Sequence, residues 1–411
     1  MTESSFDAQL LHTQYAKSDP YNALSMPVYH SAAYEFDSAE AMELAFTGKT
    51  TDYVYSRITN PTVQYFESRV QNITQAFSVT ALNSGMAAIS NVIFTIAKSG
   101  SNIVTSRHLF GNTYSFFAST MAAFGVETRF CDLTNCDEVE ANIDANTCCV
   151  FLEIITNPQL EVVDLELVSS ICKQSNVPLI ADTTIMPFCA FDAKNFNINI
   201  EIVSSTKYIS GGATSLGGIV LDYATFDWSK NAKLSAMVPE FGNAAFTAKL
   251  RKEIHRNLGA YMTPHVAYMQ TLGLETMRLR YEQASKTCKA LATKLLDVEA
   301  VVSVNYCALP NNKYNALSQK QFGDYPGAMF TFNLASREAC FAFLNKLTVI
   351  KRATNLFDNK TLAIHPASTI YGTFSPEQRA SMNVTDNIIR MSVGLESVDD
   401  LLADILQALT A

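Results

Sequence analysis

The sequence predicts an α/β chain: a mostly parallel central sheet covered by helices, followed by a smaller α+β part toward the C-terminus. Three observations predict it. Short β-branched runs alternate with longer amphipathic stretches through the first two-thirds of the 411 residues, the pattern of a helix-covered parallel sheet. Near residues 230–249 that alternation loosens, and residues 250–260 open a run of long helices. Apolar residues make up 48% and charged residues 17%, which supplies a large core and argues against disorder or a coiled coil. At roughly 150 residues per domain the length implies two to three domains.

The first 55 or so residues are polar and irregular, an arm rather than a core element. Strands are expected at residues 79–82, 102–105, 127–130, 148–153, 178–181 and 200–204, where β-branched and aliphatic residues cluster between turn formers. Between them, residues 86–97, 114–124 and 164–175 have helical length and spacing. In the tail, residues 328–333 and 390–393 read as strands among helices such as 338–347. The expected organisation is an arm at 1–55, a cofactor-binding part at 56–250 and a smaller part at 251–411.

Charge narrows the partners. Thirty basic against 39 acidic residues give a net charge of −9, whereas nucleic-acid binding needs clustered Lys and Arg. An anionic ligand must therefore be held by a local device. No run approaches the roughly 18 to 20 apolar residues of a membrane span, and the N-terminal stretch lacks a basic head with an apolar core, so export is not expected. The nine cysteines are an odd number without C-x-x-C pairing, which points to buried thiols in a reduced, cytoplasmic setting. None of the six histidines stands at ligand spacing to a cysteine, so no metal site is expected.

Three segments could carry chemistry. Asn83-Ser84-Gly85-Met86-Ala87-Ala88 is a small-residue turn between a strand and an apolar helix. Such a helix start offers backbone N–H groups to an anion, although an ordinary tight turn has the same composition. Val177-Pro178-Leu179-Ile180-Ala181-Asp182 is a buried strand ending in a carboxylate, placed where α/β proteins bind ligands; a helix N-cap would look the same. In Ser204-Ser205-Thr206-Lys207-Tyr208, ahead of a glycine-bearing loop at 210–218, a lysine in low-charge surroundings is suited to act as nucleophile or base. A surface lysine at a strand end is the plainer alternative. Together, a phosphate cradle, a strand-end Asp and a lysine 207 − 182 = 25 residues later suit pyridoxal 5′-phosphate. The Asp would keep the pyridine nitrogen protonated and the Lys would form the Schiff base and move protons, with Ser204 and Thr206 reaching the phosphate.

At these residues the chain resembles the Cys/Met metabolism family of pyridoxal-phosphate enzymes, from about His12 to Leu406. The landmarks, in order, are Tyr55-Ser56-Arg57 with Asn60-Pro61-Thr62, Ser84-Gly85-Met86-Ala87-Ala88, Thr156-Asn157-Pro158, Asp182, Ser204-Ser205-Thr206-Lys207-Tyr208, His365-Pro366-Ala367-Ser368 and Arg390-Met391-Ser392-Val393-Gly394-Leu395-Glu396. The resemblance implies the fold-type I, aspartate aminotransferase-like architecture and a homotetramer of two tight dimers. It implies Lys207 as the Schiff-base lysine and Asp182 as the partner of the ring nitrogen. Ser84, Gly85, Met86, Ser204 and Thr206 would hold the phosphate, and Tyr55 with Arg57 would reach the phosphate of the neighbouring subunit. Asn157 is expected near the ring's phenolic oxygen, and Arg390 at the substrate carboxylate through its guanidinium fork.

Within the family, the methanethiol-forming lyases carry a Tyr-Gly-Cys-Thr turn whose tyrosine stacks on the ring. Here the turn is Phe110-Gly111-Asn112-Thr113, so Phe110 can stack but cannot donate a proton, and phenol assistance would fall to Tyr55. Asn355, followed by Asp358, and the runs 256–260 and 273–276 resemble the O-acetylhomoserine sulfhydrylases. One departure is Gly211-Gly212-Ala213-Thr214-Ser215, where those enzymes often carry a histidine. The implied reaction is γ-replacement on O-acetyl-L-homoserine by sulfide or methanethiol, with Asn355 and Tyr55 at the substrate. The alternatives within the family are methionine γ-lyase and cystathionine γ-synthase or γ-lyase chemistry. A dinucleotide oxidoreductase is disfavoured by the missing G-x-G-x-x-G turn, and a non-catalytic relative would be expected to lose Lys207 or Asp182. His108 and His365 are read as packing or turn residues before entrance residues.

Overall fold

The computed structural model describes residues 5–15, 19 and 21–410; residues 1–4, 16–18 and 20 of the expected arm, and residue 411, lie outside the described residues. The strands in chain order are β1 Ser78–Leu82, β2 Asn102–Ser106, β3 Glu127–Cys131, β4 Thr147–Glu153, β5 Leu179–Asp182, β6 Ile200–Val203, β7 Gly218–Asp222, β8 Ser303–Asn305, β9 Met329–Asn333, β10 Lys351–Arg352, β11 Leu362–Ile364 and β12 Ile388–Ser392. The chain divides into two compact units. One comprises Met1–Lys98, Asn199–Ser210 and Thr214–Glu275, the other Ser99–Ile198, Gly211–Ala213 and Thr276–Ala411.

In the first unit β7 lies between β1 and β6, antiparallel to both, with Leu82 opposite Gly218 and Val203 opposite Ile219. All five β7 residues are buried, so side chains of both pleat faces enter the core. The helix Gly85–Ile96 follows β1 directly, its buried face formed by Ala88, Ile89, Val92, Ile93 and Ile96. Helix Pro61–Thr74 begins with a cap that its sequence spells out. Asn60 accepts the Thr62 N–H at 2.9 Å, and Pro61 occupies the first turn, where a missing N–H costs nothing. Arg69 on that helix is 1% exposed and is satisfied by Leu10 O and by Glu275 at 2.8 Å, which fixes the helix Phe6–Leu11 of the arm.

In the second unit β2 lies between β3 and β4, and β4 pairs with β5, all parallel. The helices Cys136–Asn142 and Leu165–Gln174 are the crossovers that parallel pairing requires. The same unit holds a second sheet in the order β10-β11-β12-β9-β8, antiparallel except between β10 and β11. Helices Met277–Leu295, Arg337–Lys346 and Val398–Leu409 accompany it.

The structure adds elements the sequence reading did not have, the helices Phe6–Leu11 and Ala39–Phe46 in the arm and the strands β8, β10 and β11, and it changes two others. β7 was expected as loop: glycines at 217 and 218 hide the short run behind them. The helix expected at 114–124 starts as an α-helix at Gly111–Ser115 and widens into a π-helix at Phe116–Met121. No helix among the described residues is long and apolar enough to cross a membrane, and the nine cysteines are free thiols.

Candidate active site

In the first unit the turn after β1 is built for close approach. Ser84 caps the helix Gly85–Ile96, its Oγ accepting the Ala87 N–H at 3.0 Å. Gly85 and Met86 open that helix, at the positive end of its dipole. A Cβ on Gly85 would stand 2.8 Å from Ser204 Cβ and 2.9 Å from Ser204 Oγ. One on Gly218 would stand 2.0 Å from Ser84 O. The starts of a helix and of β7 and the end of β6 therefore converge only because both positions are glycine.

Lys207 lies on the turn that leaves β6, its N–H donating to Ser204 O at 3.2 Å, and is half-buried. The loop behind it is closed by Thr206, whose Oγ1 accepts the Gly217 N–H at 3.0 Å and lies 3.2 Å from Gly217 O. Thr206 thus shapes the lysine loop. Tyr55 and Arg57 form a second group: the guanidinium carbon lies 5.4 Å from the Tyr55 ring centroid, and Nη1 donates to Arg256 O at 2.5 Å. Tyr55 is 42% exposed, and Arg57 lines a cavity of about 210 Å³ with Glu67, Arg251 and His255. Burial, then the charges of Arg251 and Arg57, push His255 down to about 4.

The second unit gathers the remaining groups at the carboxyl ends of β4 and β5. Asp182 is the last residue of β5 and stands opposite Glu153, the last of β4. Its Oδ1 accepts the Thr184 N–H at 2.9 Å. Glu153 accepts the N–H of Phe110 on Oε1 at 2.6 Å and that of Asn157 on Oε2 at 3.2 Å. The Asn157–Pro158 peptide bond is cis. Arg390, on β12 and 2% exposed, donates from Nη1 to Asn157 Oδ1 at 3.1 Å and from Nη2 to Thr354 O at 3.0 Å. Among the described residues its Nε has no partner and is buried, and burial lowers the guanidinium to about 10. Asn355 is half-buried next to that carbonyl and donates to Asp358 Oδ2 at 3.1 Å.

Sequence reasoning missed two residues of this group. Glu153 carries the same signal as Asp182, an acid closing an apolar run. Tyr371 is fully buried and donates to Leu109 O at 2.8 Å, with Asn157 O at 3.1 Å; nothing in its local sequence marks it. His365, by contrast, is a turn residue as expected, bonded to Ser368 Oγ at 2.9 Å and Asp386 O at 2.8 Å. His108 pairs with Glu161 at 2.6 Å.

Residues 7–410 match the profile of the Cys/Met metabolism PLP-dependent enzymes. The chain belongs to that family. It is 30% identical to the O-acetyl-L-homoserine sulfhydrylase of Corynebacterium glutamicum, over 97% of this chain and 95% of the relative. Among solved structures it is similar to the O-acetylhomoserine sulfhydrylase of the methionine biosynthetic pathway of Wolinella succinogenes. That match has 41% identity, a TM-score of 0.77, and covers 86% of this chain and 99% of the other. It is also similar to a putative O-acetylhomoserine (thiol)-lyase of Campylobacter jejuni, at 29% identity and a TM-score of 0.92 over 99% of this chain and all of the other. The latter carries an N′-pyridoxyl-lysine-5′-monophosphate group.

The protein is thus a PLP-dependent enzyme with the α/β, fold-type I architecture of its family. The residues present fit that cofactor. Because residue 85 is a glycine, Ser204 Oγ stands close to a helix N-terminus, and a hydroxyl beside such a terminus is the kind of donor set a phosphate requires. Elsewhere a strand-end carboxylate, Asp182, suits a protonated ring nitrogen.

Proposed function

We propose that the enzyme catalyses γ-replacement on O-acetyl-L-homoserine, with sulfide or methanethiol as the entering group, giving homocysteine or methionine and acetate. The observation that carries an amino-acid substrate is Arg390. A guanidinium that is 2% exposed and, among the described residues, held by the neutral oxygens of Asn157 and Thr354 with Nε unpaired calls for an anionic ligand. An α-carboxylate supplies one. The sulfhydrylases among its relatives support the acyl group and the thiol.

When bound, pyridoxal 5′-phosphate supplies the electron sink that lets the substrate lose protons at Cα and Cβ. Lys207 would anchor the cofactor covalently and would remove and return protons at the substrate carbons, serving in turn as base and acid. Asp182 holds the ring nitrogen protonated. Gly85 and Met86 offer N–H groups, and Ser84, Ser204 and Thr206 hydroxyls, to the phosphate. Phe110 would stack on the ring, and Asn157, which accepts from Arg390, would also serve its phenolic oxygen. Tyr55, with its phenol exposed, takes the acid role at Cγ that Phe110 cannot, and Asn355 lines the substrate pocket. In this reading the segments 1–55, 56–250 and 251–411 are the arm, the cofactor part and the substrate part.

The same proposal includes a cytoplasmic homotetramer of two dimers, in which Tyr55 and Arg57 serve the phosphate of the adjacent subunit. Light scattering of the purified protein gives the assembly. The activity test is direct: the holoenzyme should form homocysteine from O-acetylhomoserine and sulfide, and the Lys207→Ala variant should not. Faster release of 2-oxobutyrate from methionine would replace this reading with γ-elimination.

A further inference from the structure

The inference concerns Glu153 and rests on the cofactor reading above. Glu153 closes β4 as Asp182 closes β5, and the parallel register sets the two side by side. It is 7% exposed. Its two oxygens accept the backbone N–H groups of Phe110 and Asn157, so one carboxyl ties together the ring-stacking residue and the residue assigned to the phenolic oxygen. It also stands next to the residue assigned to the ring nitrogen. No lysine, arginine or histidine among the described residues forms an ion pair with it. The titratable groups that face it are Asp182 on β5 and the buried Tyr371, and Arg390 reaches only as far as Asn157.

Two carboxyls in a poorly solvated place do not both ionise, because each charge repels the other and neither is hydrated. Burial first, and Asp182 second, raise Glu153 to about 8, against the pull of the Phe110 and Asn157 N–H groups. Asp182 is less buried and has the Thr184 N–H on its carboxylate. Of the two, Glu153 is therefore the carboxyl that keeps its proton near pH 7.

We propose that Glu153 is a positioning residue, which holds Phe110 and Asn157 by their backbones and keeps the proton of the carboxyl pair, so that Asp182 meets the ring nitrogen as an anion. A residue needed only for packing would leave the cofactor's electronic state alone. This one sets it, because its own ionisation adds or removes a charge beside Asp182.

The test is a pH titration of the visible absorption of the reconstituted holoenzyme, with cofactor release followed alongside. Wild type should show an inflection near pH 8, the value to which Glu153 is raised. Glu153→Gln should lose that inflection and release cofactor about tenfold faster, since its amide cannot accept from both N–H groups. Glu153→Asp keeps an acid on a shorter arm, and should retain an inflection while releasing cofactor faster. A wild type without the inflection overturns the proposal, and so does Glu153→Gln titrating like wild type. Where Glu153→Gln does not fold, wild type and Glu153→Asp decide the matter by the same criterion. Borohydride reduction checks the underlying reading separately: if wild type gains no pyridoxyl group on Lys207, the cofactor assignment fails rather than the role of Glu153.

Discussion

Arg390 Nη1 donates to Asn157 Oδ1 at 3.1 Å, so the guanidinium assigned to the substrate carboxylate is oriented by the side chain assigned to the cofactor ring. A lysine cannot keep that contact, the bond to Thr354 O and a substrate carboxylate at once, because it lacks the planar fork. Arg390→Lys should lower kcat/KM by about 100-fold, on the order of what losing one member of a buried charge pair costs. Cofactor content should hold near wild type. Steady-state kinetics with a cofactor assay check both halves.

The Gly85–Ser204 contact makes a paired prediction. In Gly85→Ala the new methyl stands 2.8 Å from Ser204 Cβ, and forcing them apart should cost about 1–3 kcal/mol in stability and weaken cofactor binding. Gly85→Ala combined with Ser204→Gly should recover a measurable part of the stability, and a double-mutant cycle of thermal melts reads the coupling.

Acid sensitivity should trace in part to His255. It is held neutral in the folded chain, at about 4, while its ordinary value is 6.5. Between those values the unfolded chain binds a proton that the native chain does not, so stability falls as pH drops from about 6.5 toward 4, by on the order of 2–3 kcal/mol. Urea unfolding at pH 7 and pH 5 should show the loss, and His255→Gln should flatten it.

Asp404 is a different kind of keystone. Burial pushes its pKa up, but N–H donation from Ile350 and Thr348 and the Thr348 and Gln407 side chains outweigh it, and the net direction is down. Its oxygens accept three consecutive backbone N–H groups, from Thr348, Val349 and Ile350, at 2.9–3.0 Å. Asp404→Ala leaves those donors unmet and should cost about 3 kcal/mol. With a depressed folded value, the stabilising effect of Asp404 is present at neutral pH and lost as pH falls through that value. A melt of Asp404→Ala against wild type at pH 7 checks the magnitude.

Much of the architecture was legible because it is local. The runs that became β2, β4 and β5 each bury a short aliphatic stretch, and their ends, like those of β3, fall within a residue or two of expectation. Asp182 could be singled out because it closes such a run. Glu153 closes one too, but nothing in its neighbourhood tells a buried carboxyl from a capping one; only the N–H groups of Phe110 and Asn157, 43 and 4 residues away, make the difference. β7 was hidden because its partner β1 lies far upstream and its entry is glycine. Those glycines have a packing reason, the approach of Ser205 and Gln270 to Gly217 and of Ser84 to Gly218, that no local pattern records. Tyr371 was unreadable for the same cause: its bonds span 262 and 214 residues.

The interleaving of the two units bears on how the protein is made. The chain passes from one unit to the other at residues 98, 198, 210, 213 and 275. β1 emerges from the ribosome with its eventual neighbour β7 still unsynthesised, and the first unit is incomplete until residue 275 has appeared. Through that interval an unpaired strand edge and an apolar helix face stay open to wrong partners. Synthesis is therefore the stage at which this enzyme is most exposed to aggregation and most dependent on chaperones.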